Sequence, residues 1–411
     1  MARTAGPKRS QKPLLLAVIG AILIQLGPLW LIKEKLRSGS SDFSAYYSAG
    51  RIVVSGQGSR LYDLEVQREA QRIFPEKFGR PALLPFNHPP FEALIFAPLA
   101  LLPYGSAYLL WLACNLAMWI GTMFLLRPYL PLLASHFDLA LIGASIFAPL
   151  QIAVAQGQDS VLVLLFFALC LVNLLRNRIW LAGSSLGVAM IKPQLALAAV
   201  LVLALAHERR LRLLAGFFST CLALGLLSLG VAGWRASVTY PAVLVRYVPE
   251  IPGIIHPASM PNLRGLFFAL LEGLVPHSVV YAIVALASVL LLGLAVAAWR
   301  GGSCRDPHFG FALVTTAVVL VAFHGNVHDS ALLLLPALLV SNSLVRSGVN
   351  TISRTLLAAL VAILLALPLL TENRQILCCV TLALFAAIGY ELHQDRAAGL
   401  ELSMDAGREQ A

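Results

Sequence analysis

Residues 278–299 read SVVYAIVALASVLLLGLAVAAW, a run of 22 residues without a charged side chain. A helix of that length rises about 33 Å, enough to cross the ~30 Å hydrocarbon core of a bilayer. Similar apolar runs recur from residue 14 to residue 390. Because the bilayer core contains no water, the backbone of each run must satisfy its own hydrogen bonds. The runs lack the alternation of a membrane barrel strand, so we predict that they are helices.

Composition supports the same fold class. Hydrophobic residues make up 59% of the 411 residues and charged residues only 12%, too few for a water-soluble surface. We therefore predict an all-α polytopic membrane protein with roughly ten to twelve crossings. The net charge of +10 comes from short basic clusters between the apolar runs, which is typical of membrane topology and argues against nucleic-acid binding. The six cysteines have neither disulfide nor zinc spacing.

Basic residues between apolar runs are expected on the cytoplasmic side of the membrane. This rule places both termini in the cytoplasm and makes residues 14–32 an uncleaved first helix. The predicted organisation is a basic N-terminus, one transmembrane domain and a polar tail, at residues 1–13, 14–391 and 392–411.

Three segments depart from simple crossings. Long extracytoplasmic loops are expected at residues 33–88 and 232–262. Residues 179–206 are basic at both ends and carry Lys192-Pro193 in the middle, a natural place for a helix to break. We expect them to form a hairpin of two short helices that leaves and re-enters on the same side.

This threading gathers the polar residues that interrupt the apolar runs on the extracytoplasmic side. The set comprises Asp42, Tyr46, Tyr47, Asn87, His88, Gln156, Gln158, Asp159, Lys192, Asn262, Arg264, His324, Asn326, His328 and Asp329. The sequence contains no comparable set on the cytoplasmic side. The asymmetry predicts that the functional site lies at the outer face.

Lys192 places a charge inside an apolar hairpin. It lies ~20 Å along the helix from the cytoplasmic end, in the outer half of the hydrocarbon core. An unpaired Lys at mid-membrane costs ~2.5–3.5 kcal/mol, so it needs a partner or a function. One interpretation is that Lys192 snorkels outward or pairs with Asp159. The other is that it is the cation for a phosphate at the outer face.

Asp42 precedes a helix-forming segment, residues 41–47 (SDFSAYY). Taken alone, this position favours a helix N-cap. The functional interpretation is a general base that accepts a proton from an attacking hydroxyl, which typically contributes ~10²–10⁴-fold to a rate.

His324 and His328 are four residues apart and are followed by Asp329. The intervening Gly-Asn indicates a loop, so a metal site is one interpretation beside hydrogen bonding to a phosphate and structural capping. The amides of Gln156 and Gln158 are equally open, because they suit sugar or phosphate groups and also cap helix ends.

Several short motifs, in this order and spacing, resemble those of bacterial glycosyltransferase family 87. They are residues 41–47 (SDFSAYY), 61–63 (LYD), 87–91 (NHPPF), 97–104 (APLALLPY), Trp111 with Asn115, 156–158 (QGQ), 192–193 (KP) and 262–266 (NLRGL). The resemblance runs from about residue 40 to residue 340. His88 departs from it, because an aromatic residue is expected there in many relatives.

The resemblance implies a C-type glycosyltransferase fold that takes a mannose- or arabinose-like sugar from a polyprenyl-phosphate donor. It implies that Asp42 is the catalytic residue and that Lys192, Arg264, His324 and His328 contact the donor phosphate. Substrate contacts are expected from the other polar residues of this face: Tyr46, Tyr47, Asn87, His88, Gln156, Gln158 and Asn262. The expected acceptor is a glycolipid or a polysaccharide, and the expected location is the bacterial plasma membrane. Because phosphate is a competent leaving group, we expect neither a metal nor a cofactor.

Three other functions remain as alternatives. A transporter usually has internal repeats and a polar site at the membrane midplane, whereas this chain has no evident repeat and a one-sided polar set. A polyprenyl-lipid flippase would need Lys192 but not Asp42. A ligase that uses a lipid diphosphate would need more basic residues on the outer side.

Overall fold

The structure is a computed structural model that describes residues 12–37, 39, 41–74, 83–244, 256–302, 307–345 and 351–408. Within these ranges the chain forms eighteen α-helices, short 3₁₀ segments and no β-strand, which confirms the predicted all-α fold. Most of the N-terminal basic segment that oriented the predicted topology lies outside the described residues.

The first nine helices carry the chain from the N-terminus to the predicted hairpin. They are α1 (Lys12–Arg37), α2 (Phe43–Val54), α3 (Leu64–Gln71), α4 (Ala93–Phe96), α5 (Tyr104–Leu126), α6 (Pro131–Ser135), α7 (Phe137–Ser145), α8 (Ala148–Gln156) and α9 (Ser160–Leu175).

The other nine helices complete the described chain. They are α10 (Ile179–Val188), α11 (Pro193–Ala206), α12 (Arg210–Ala242), α13 (Leu263–Leu271), α14 (His277–Gly302), α15 (Pro307–Val321), α16 (Leu334–Ser343), α17 (Thr351–Leu370) and α18 (Arg374–Arg408). A 3₁₀ segment, Val327–Leu333, leads into α16.

Among the described residues, six helices are long and apolar enough to cross a membrane: α1, α5, α12, α14, α17 and α18. The pair α7 and α8, bent by 66°, would add a seventh span. Five shorter apolar segments of 10–17 residues are built around α9, α10, α11, α15 and α16. The protein is therefore a multi-pass membrane protein, and crossings beyond the seventh would have to use these shorter segments.

The predicted hairpin is present. The chain runs through α10 and the 3₁₀ turn Ala189–Ile191, and α11 begins at Pro193. Lys192 at the tip has φ of −116° and ψ of 84°, outside the helical region that a following proline disfavours. Close packing against α12 holds the hairpin in place, since a Cβ at Gly183 would lie 1.9 Å from the Leu213 carbonyl oxygen.

Helices continue into two segments that the sequence assigns to polar regions. The second outer loop was expected from residue 232, but α12 continues to Ala242 across a kink at Gly233, which has φ of +68°. Glycine accommodates this kink because it has no Cβ. The polar tail was expected from residue 392, but α18 continues to Arg408. In both segments the helix begins in an apolar span and continues into the more polar sequence that follows.

Much of the described part of the first loop, predicted at residues 33–88, is helical. Helix α1 extends to Arg37, and α2 and α3 follow within the loop. Asp63 caps α3, since its carboxylate accepts a hydrogen bond from the Glu65 backbone N–H. Helix α2 packs its buried face on α3 and α4 and thereby holds Asp42 and Tyr46 at one end of the helical bundle.

Candidate active site

A cavity of about 370 Å³ opens where α2, the turn between α8 and α9, the hairpin tip and the loop after α15 meet. Nine of the predicted site residues line it: Asp42, Tyr46, Asn87, His88, Gln158, Lys192, Arg264, His324 and His328. We call this space the polar cavity. These residues lie as far as 286 positions apart in sequence, between Asp42 and His328, so the fold alone brings them together.

Lys192 is held between two buried carboxylates. Its Nζ lies 3.0 Å from Asp159 Oδ1 and 2.5 Å from Asp329 Oδ1, and all three side chains are at most 4% exposed. Asp329 also accepts hydrogen bonds from the Ser160 hydroxyl and the Asn326 backbone N–H. The structure therefore favours the predicted pairing with Asp159, and the Lys192 charge is already opposed before any phosphate enters.

A second pair, His88 and Glu92, lies beside this ion pair. His88 Nδ1 is 2.9 Å from Glu92 Oε2 and 3.4 Å from Asp159 Oδ2. Burial alone would lower the pKa of His88, but the two carboxylates outweigh it and raise that pKa to about 10. Burial raises the pKa of Glu92 to about 7, with Asp159 adding to the rise and His88 opposing it. The arrangement favours a protonated His88.

Asp42 is connected to this cluster by a chain of hydrogen bonds. The Tyr46 hydroxyl donates to Gln158 Oε1 (2.8 Å), and Gln158 Nε2 donates to Asp42 Oδ2 (2.5 Å). Asp42 stands at the N-cap position of α2, but its side chain makes no capping bond. The capping interpretation therefore lacks its hydrogen bond, and the carboxylate faces the polar cavity instead.

The turn between α8 and α9 is fixed from the side of α5. Trp111 Nε1 donates to the Gly157 carbonyl (2.8 Å), and the Tyr108 hydroxyl donates to the Ala155 carbonyl (2.7 Å). Gly157 is left-handed, with φ of +66°, and a Cβ there would lie 2.8 Å from Phe43 Cβ. Glycine is needed for both reasons. The turn carries Gln158 and Asp159 into the cluster.

Arg264 and His324 also line the polar cavity. Arg264 donates to the Phe323 carbonyl (2.9 Å) and the Tyr281 hydroxyl (3.1 Å), and its guanidinium lies 4.2 Å from the centre of the Phe323 ring. No carboxylate pairs with Arg264 among the described residues. Burial lowers the pKa of His324 to about 4, so its imidazole is neutral at pH 7. Of the described cations that line the polar cavity, Arg264 is the one without a carboxylate partner.

Three predicted contacts lie outside the polar cavity. Tyr47 packs among aromatic rings and donates to the Leu102 carbonyl, and Asn262 caps α13 through the Gly265 backbone N–H. Gln156 ends α8 and does not line the cavity. Neighbouring residues on a helix or turn point their side chains in different directions. Membership of the same sequence motif therefore does not show that both side chains enter the cavity.

Sequence reasoning missed Glu92 and Tyr240 as members of the site. Glu92 is a lone carboxylate in an apolar stretch, four residues after His88, and that spacing could have identified it. Tyr240 lines the polar cavity because α12 continues past its kink. No pattern in the sequence predicts this continuation. Asp159 and Asp329 were recognised near the site but not assigned to it.

The described residues bring one metal-like group together: the ligand atoms of His88, Glu92 and Asp159 lie within 4.8 Å of one another. The predicted alternative of a metal at His324 and His328 has no such geometry within the described chain. At the first group the Lys192 ammonium lies 3.0 Å from Asp159 Oδ1 and repels a second cation. The contacts fit a proton on His88 better than a metal ion.

An apolar groove of about 430 Å³ adjoins the polar cavity. Pro193 and Tyr240 line both spaces, and the groove continues between the Pro89–Phe91 segment and α12. Leu222 and Leu226 of α12 are 65% and 60% exposed on this face. A charged cavity with an apolar extension suits an amphipathic ligand. Its polar head would lie in the cavity and its apolar tail in the groove, with the junction at Pro193 and Tyr240.

Fold and site together define a multi-pass helical membrane protein with a buried, charged cavity at one end. A family model described as glycosyltransferase family 87 matches residues 86–324, more than half of the chain. The chain belongs to glycosyltransferase family 87, which confirms the predicted family and the predicted class of enzyme. Asp42 and Tyr46 precede the matched region and His328 follows it.

One curated relative is the polyprenol-phosphate-mannose-dependent α-(1-2)-phosphatidylinositol pentamannoside mannosyltransferase of Mycolicibacterium smegmatis. It is 30% identical over 181 residues, which cover 43% of this chain and 39% of the relative. The similarity thus spans well under half of the relative's length.

Proposed function

We propose that this membrane glycosyltransferase moves a mannose- or arabinose-like sugar from a polyprenyl-phosphate donor to an acceptor hydroxyl. The observation that carries the proposal is the Asp42 carboxylate, which lines the same polar cavity as Arg264, and this cavity shares Pro193 and Tyr240 with the apolar groove. Sugar transfer from a lipid-linked sugar phosphate requires a base for the acceptor hydroxyl, a cation for the phosphate and an apolar groove for the lipid. The name of the M. smegmatis relative agrees with a polyprenyl-phosphate donor.

In the proposed reaction the acceptor oxygen attacks the anomeric carbon as the bond from that carbon to the phosphate oxygen breaks. Asp42 accepts the hydroxyl proton, and the bonding electrons leave with the phosphate. Attack from the face opposite the phosphate inverts the anomeric centre in a single displacement. General-base help of this kind contributes ~10²–10⁴-fold.

Arg264 is the proposed partner of the donor phosphate. Its charge has no carboxylate partner among the described residues, whereas the Lys192 charge is divided between Asp159 and Asp329. Charge grows on the phosphate as the sugar leaves, so a fixed cation stabilises the transition state more than the ground state. Neutral His324 can donate or accept a hydrogen bond in the same cavity. Lys192 then holds the two carboxylates in place and acts on the phosphate only at longer range.

The apolar groove is the proposed exit for the donor's isoprenoid chain. It begins at Pro193 and Tyr240, where the polar cavity ends, and its wall is the lipid-facing surface of α12. A chain in this groove could remain in the bilayer while the phosphate reaches Arg264. Transfer would need no metal or cofactor, since phosphate leaves without one and Lys192 lies against the metal-like group.

We propose that the polar cavity faces the extracytoplasmic side of the bacterial plasma membrane. The support is charge asymmetry: Arg176, Arg178 and the Arg209–Arg212 cluster lie at the other ends of α9 and α11. Such clusters are retained in the cytoplasm. The acceptor would then be an envelope glycolipid or polysaccharide.

Sugar transfer by the purified protein in lipid nanodiscs tests the proposal. A panel of radiolabelled polyprenyl-phosphate sugars would be offered with a membrane glycolipid extract, to wild type, Asp42→Asn and Asp138→Asn. Asp138 lies in the first turn of α7, outside the polar cavity, and is the matched control. We expect Asp42→Asn to lose ~10²–10⁴-fold in kcat and Asp138→Asn to retain wild-type turnover.

Full turnover by a folded Asp42→Asn protein would show that Asp42 is not the base. Absence of transfer from every donor, combined with tight binding of polyprenyl phosphate, would instead favour a flippase or a lipid-binding protein. The same assay compares mannose with arabinose donors and therefore identifies the sugar.

A further inference from the structure

Gln158 and Tyr46 stand between the Asp42 carboxylate and the buried His88–Glu92 pair. We infer that both are positioning residues: Gln158 holds one oxygen of Asp42, and Tyr46 fixes the Gln158 amide in the orientation that makes this possible. The inference rests on the proposed function, because it assigns roles to the residues that surround the proposed base.

The hydrogen bonds of Gln158 settle which way its amide points. The Asp42 carboxylate can only accept, so Gln158 must present its NH₂ group to Oδ2, at 2.5 Å. The amide oxygen then points to the Tyr46 hydroxyl, which donates to it at 2.8 Å. A flipped amide would set its oxygen against the carboxylate and leave Tyr46 facing an NH₂ group. The carboxylate therefore excludes the flipped orientation, and the Tyr46 hydroxyl favours the observed one as long as its hydrogen points to Gln158.

Gln158 is also the side chain that restrains the Asp42 carboxylate. Among the described residues it is the one hydrogen-bond partner of the Asp42 side chain, through Oδ2. Oδ1 remains for the acceptor hydroxyl. A base whose second oxygen is held in this way is directed without being neutralised, because the amide carries no charge.

His88 decides where the single Tyr46 hydrogen goes. The Tyr46 oxygen lies 3.2 Å from His88 Nε2, 2.8 Å from Gln158 Oε1 and 3.3 Å from Asp159 Oδ1. When both His88 nitrogens carry protons, Nε2 donates to Tyr46 and the Tyr46 hydrogen is free for Gln158. The charged groups that face His88 are Glu92 and Asp159, and both favour that protonated form.

The backbone under Gln158 is held as firmly as its side chain. The Gly157 carbonyl accepts from Trp111 Nε1, and Phe43, the residue after Asp42, packs against Gly157. The base and its positioning amide thus rest on each other through two neighbouring contacts. Such support is what keeps a catalytic group within a fraction of an ångström of its productive position.

Steady-state transfer in nanodiscs tests the two roles with Gln158→Leu and Tyr46→Phe. We expect kcat to fall roughly 10²-fold in Gln158→Leu and about 10-fold in Tyr46→Phe, since small displacements of a reacting group cost up to ~10²-fold. KM for donor and acceptor should stay within about 3-fold, because a positioning residue acts on the transition state. Gln151→Leu, the same change earlier on α8, is the matched control and should retain wild-type kcat.

Gln158→Glu provides a readout that a merely structural role would not move. At neutral pH two carboxylates would face each other, and activity should be lost. A protonated carboxylic acid can again donate to Asp42, so activity relative to wild type should rise at least several-fold as pH falls from about 8 to about 5.

Each outcome bears on a different statement. If Asp42→Asn is inactive while Gln158→Leu keeps wild-type kcat, the positioning role is wrong and the proposed function stands. A raised KM with unchanged kcat would make Gln158 a substrate contact and also overturn the role. If Gln158→Leu does not fold, Tyr46→Phe and Gln158→Glu test the positioning role instead. An unchanged kcat in Tyr46→Phe and a flat pH response in Gln158→Glu would contradict that role. Absence of transfer by wild type overturns the proposed function itself.

Discussion

Two cavities lie at opposite ends of α9 and α11, and they treat charge in opposite ways. The polar cavity, about 370 Å³, contains carboxylates and a lysine that are at most 4% exposed and paired with one another. The other, about 730 Å³, is lined by His207, Glu208, Arg209, Arg210 and Arg300 at its rim. Its arginines are exposed. We call it the arginine-rich cavity.

The larger cavity is therefore not the better candidate for chemistry. An exposed arginine keeps its hydration, and Arg300 and Arg209 use their guanidinium groups on the Leu205 carbonyl and the Asn177 amide oxygen. The buried Lys192, Asp159 and Asp329 of the polar cavity gave up their water and persist because they are paired with one another. Burial of paired charge, rather than volume, marks the site.

The largest difference between the two ends should appear when one cation is removed from each. Lys192→Met leaves Asp329 buried without its cation and Asp159 with only the protonated His88, which should cost ~3–5 kcal/mol of unfolding free energy. Arg209→Met removes an exposed cation and should cost at most ~1 kcal/mol. Unfolding by SDS titration of the purified proteins measures both, and equal losses would remove the distinction between the cavities.

The two turns that flank α9 give a second, smaller contrast. Gly157, at the polar cavity, and Asn177, at the arginine-rich cavity, both have positive φ, +66° and +58°. Gly157→Ala should cost at least ~1–2 kcal/mol, because the new Cβ is strained and meets Phe43. Asn177→Gly relieves strain and loses one exposed hydrogen bond, so the net change should be under ~1 kcal/mol. Thermal unfolding in detergent measures the difference, and a larger loss for Asn177→Gly would contradict it.

Stability at the polar cavity should depend on pH through His88. Its pKa is raised from 6.5 to about 10, so its contribution is complete below pH 6.5 and is lost as pH rises through about 10. Glu92, whose pKa is about 7, takes up a proton on the acid side, while Asp159 continues to pair with His88. The gap in melting temperature between wild type and His88→Gln should therefore narrow towards pH 10. His207→Gln, at the arginine-rich cavity, serves as control, and a gap that widens with pH would be inconsistent with a protonated His88.

The smallest expected effect is that of a chelator. If Lys192 and a proton on His88 balance the carboxylates, dialysis against EDTA should leave transfer and melting temperature unchanged. Restoration of lost activity by Mg²⁺ or Mn²⁺ would instead place a metal at His88, Glu92 and Asp159.

The apolar runs made the fold class predictable, and their interruptions made the hairpin predictable. A charge and a proline at residues 192–193 cannot continue an apolar helix, and the chain does break there. The ends of the helices were harder to predict from the sequence. Helices α12 and α18 continue past the apolar residues, because extending an existing helix by one residue costs little free energy.

Most of the site residues could be predicted because polar groups in an apolar chain need a reason to be there. Their pairing could not, since it depends on distances between loops far apart in sequence. Lys192 had two interpretations, and it is the approach of Asp329 from the loop after α15 that adds a second carboxylate to the one already expected. Tyr47 and Gln156 show the converse, because their motif neighbours face the polar cavity and they do not.

By itself the sequence determined that this protein is helical, that it lies in a membrane and that its polar residues collect at one face. Those properties follow from the cost of exposing backbone or charge to hydrocarbon, which each segment incurs alone. Only the tertiary structure decided which charges neutralise one another and which remain free. The pairing depends on contacts between segments that are far apart in sequence, such as Gln158 with Asp42 and Lys192 with Asp329. It therefore cannot be read from any one segment.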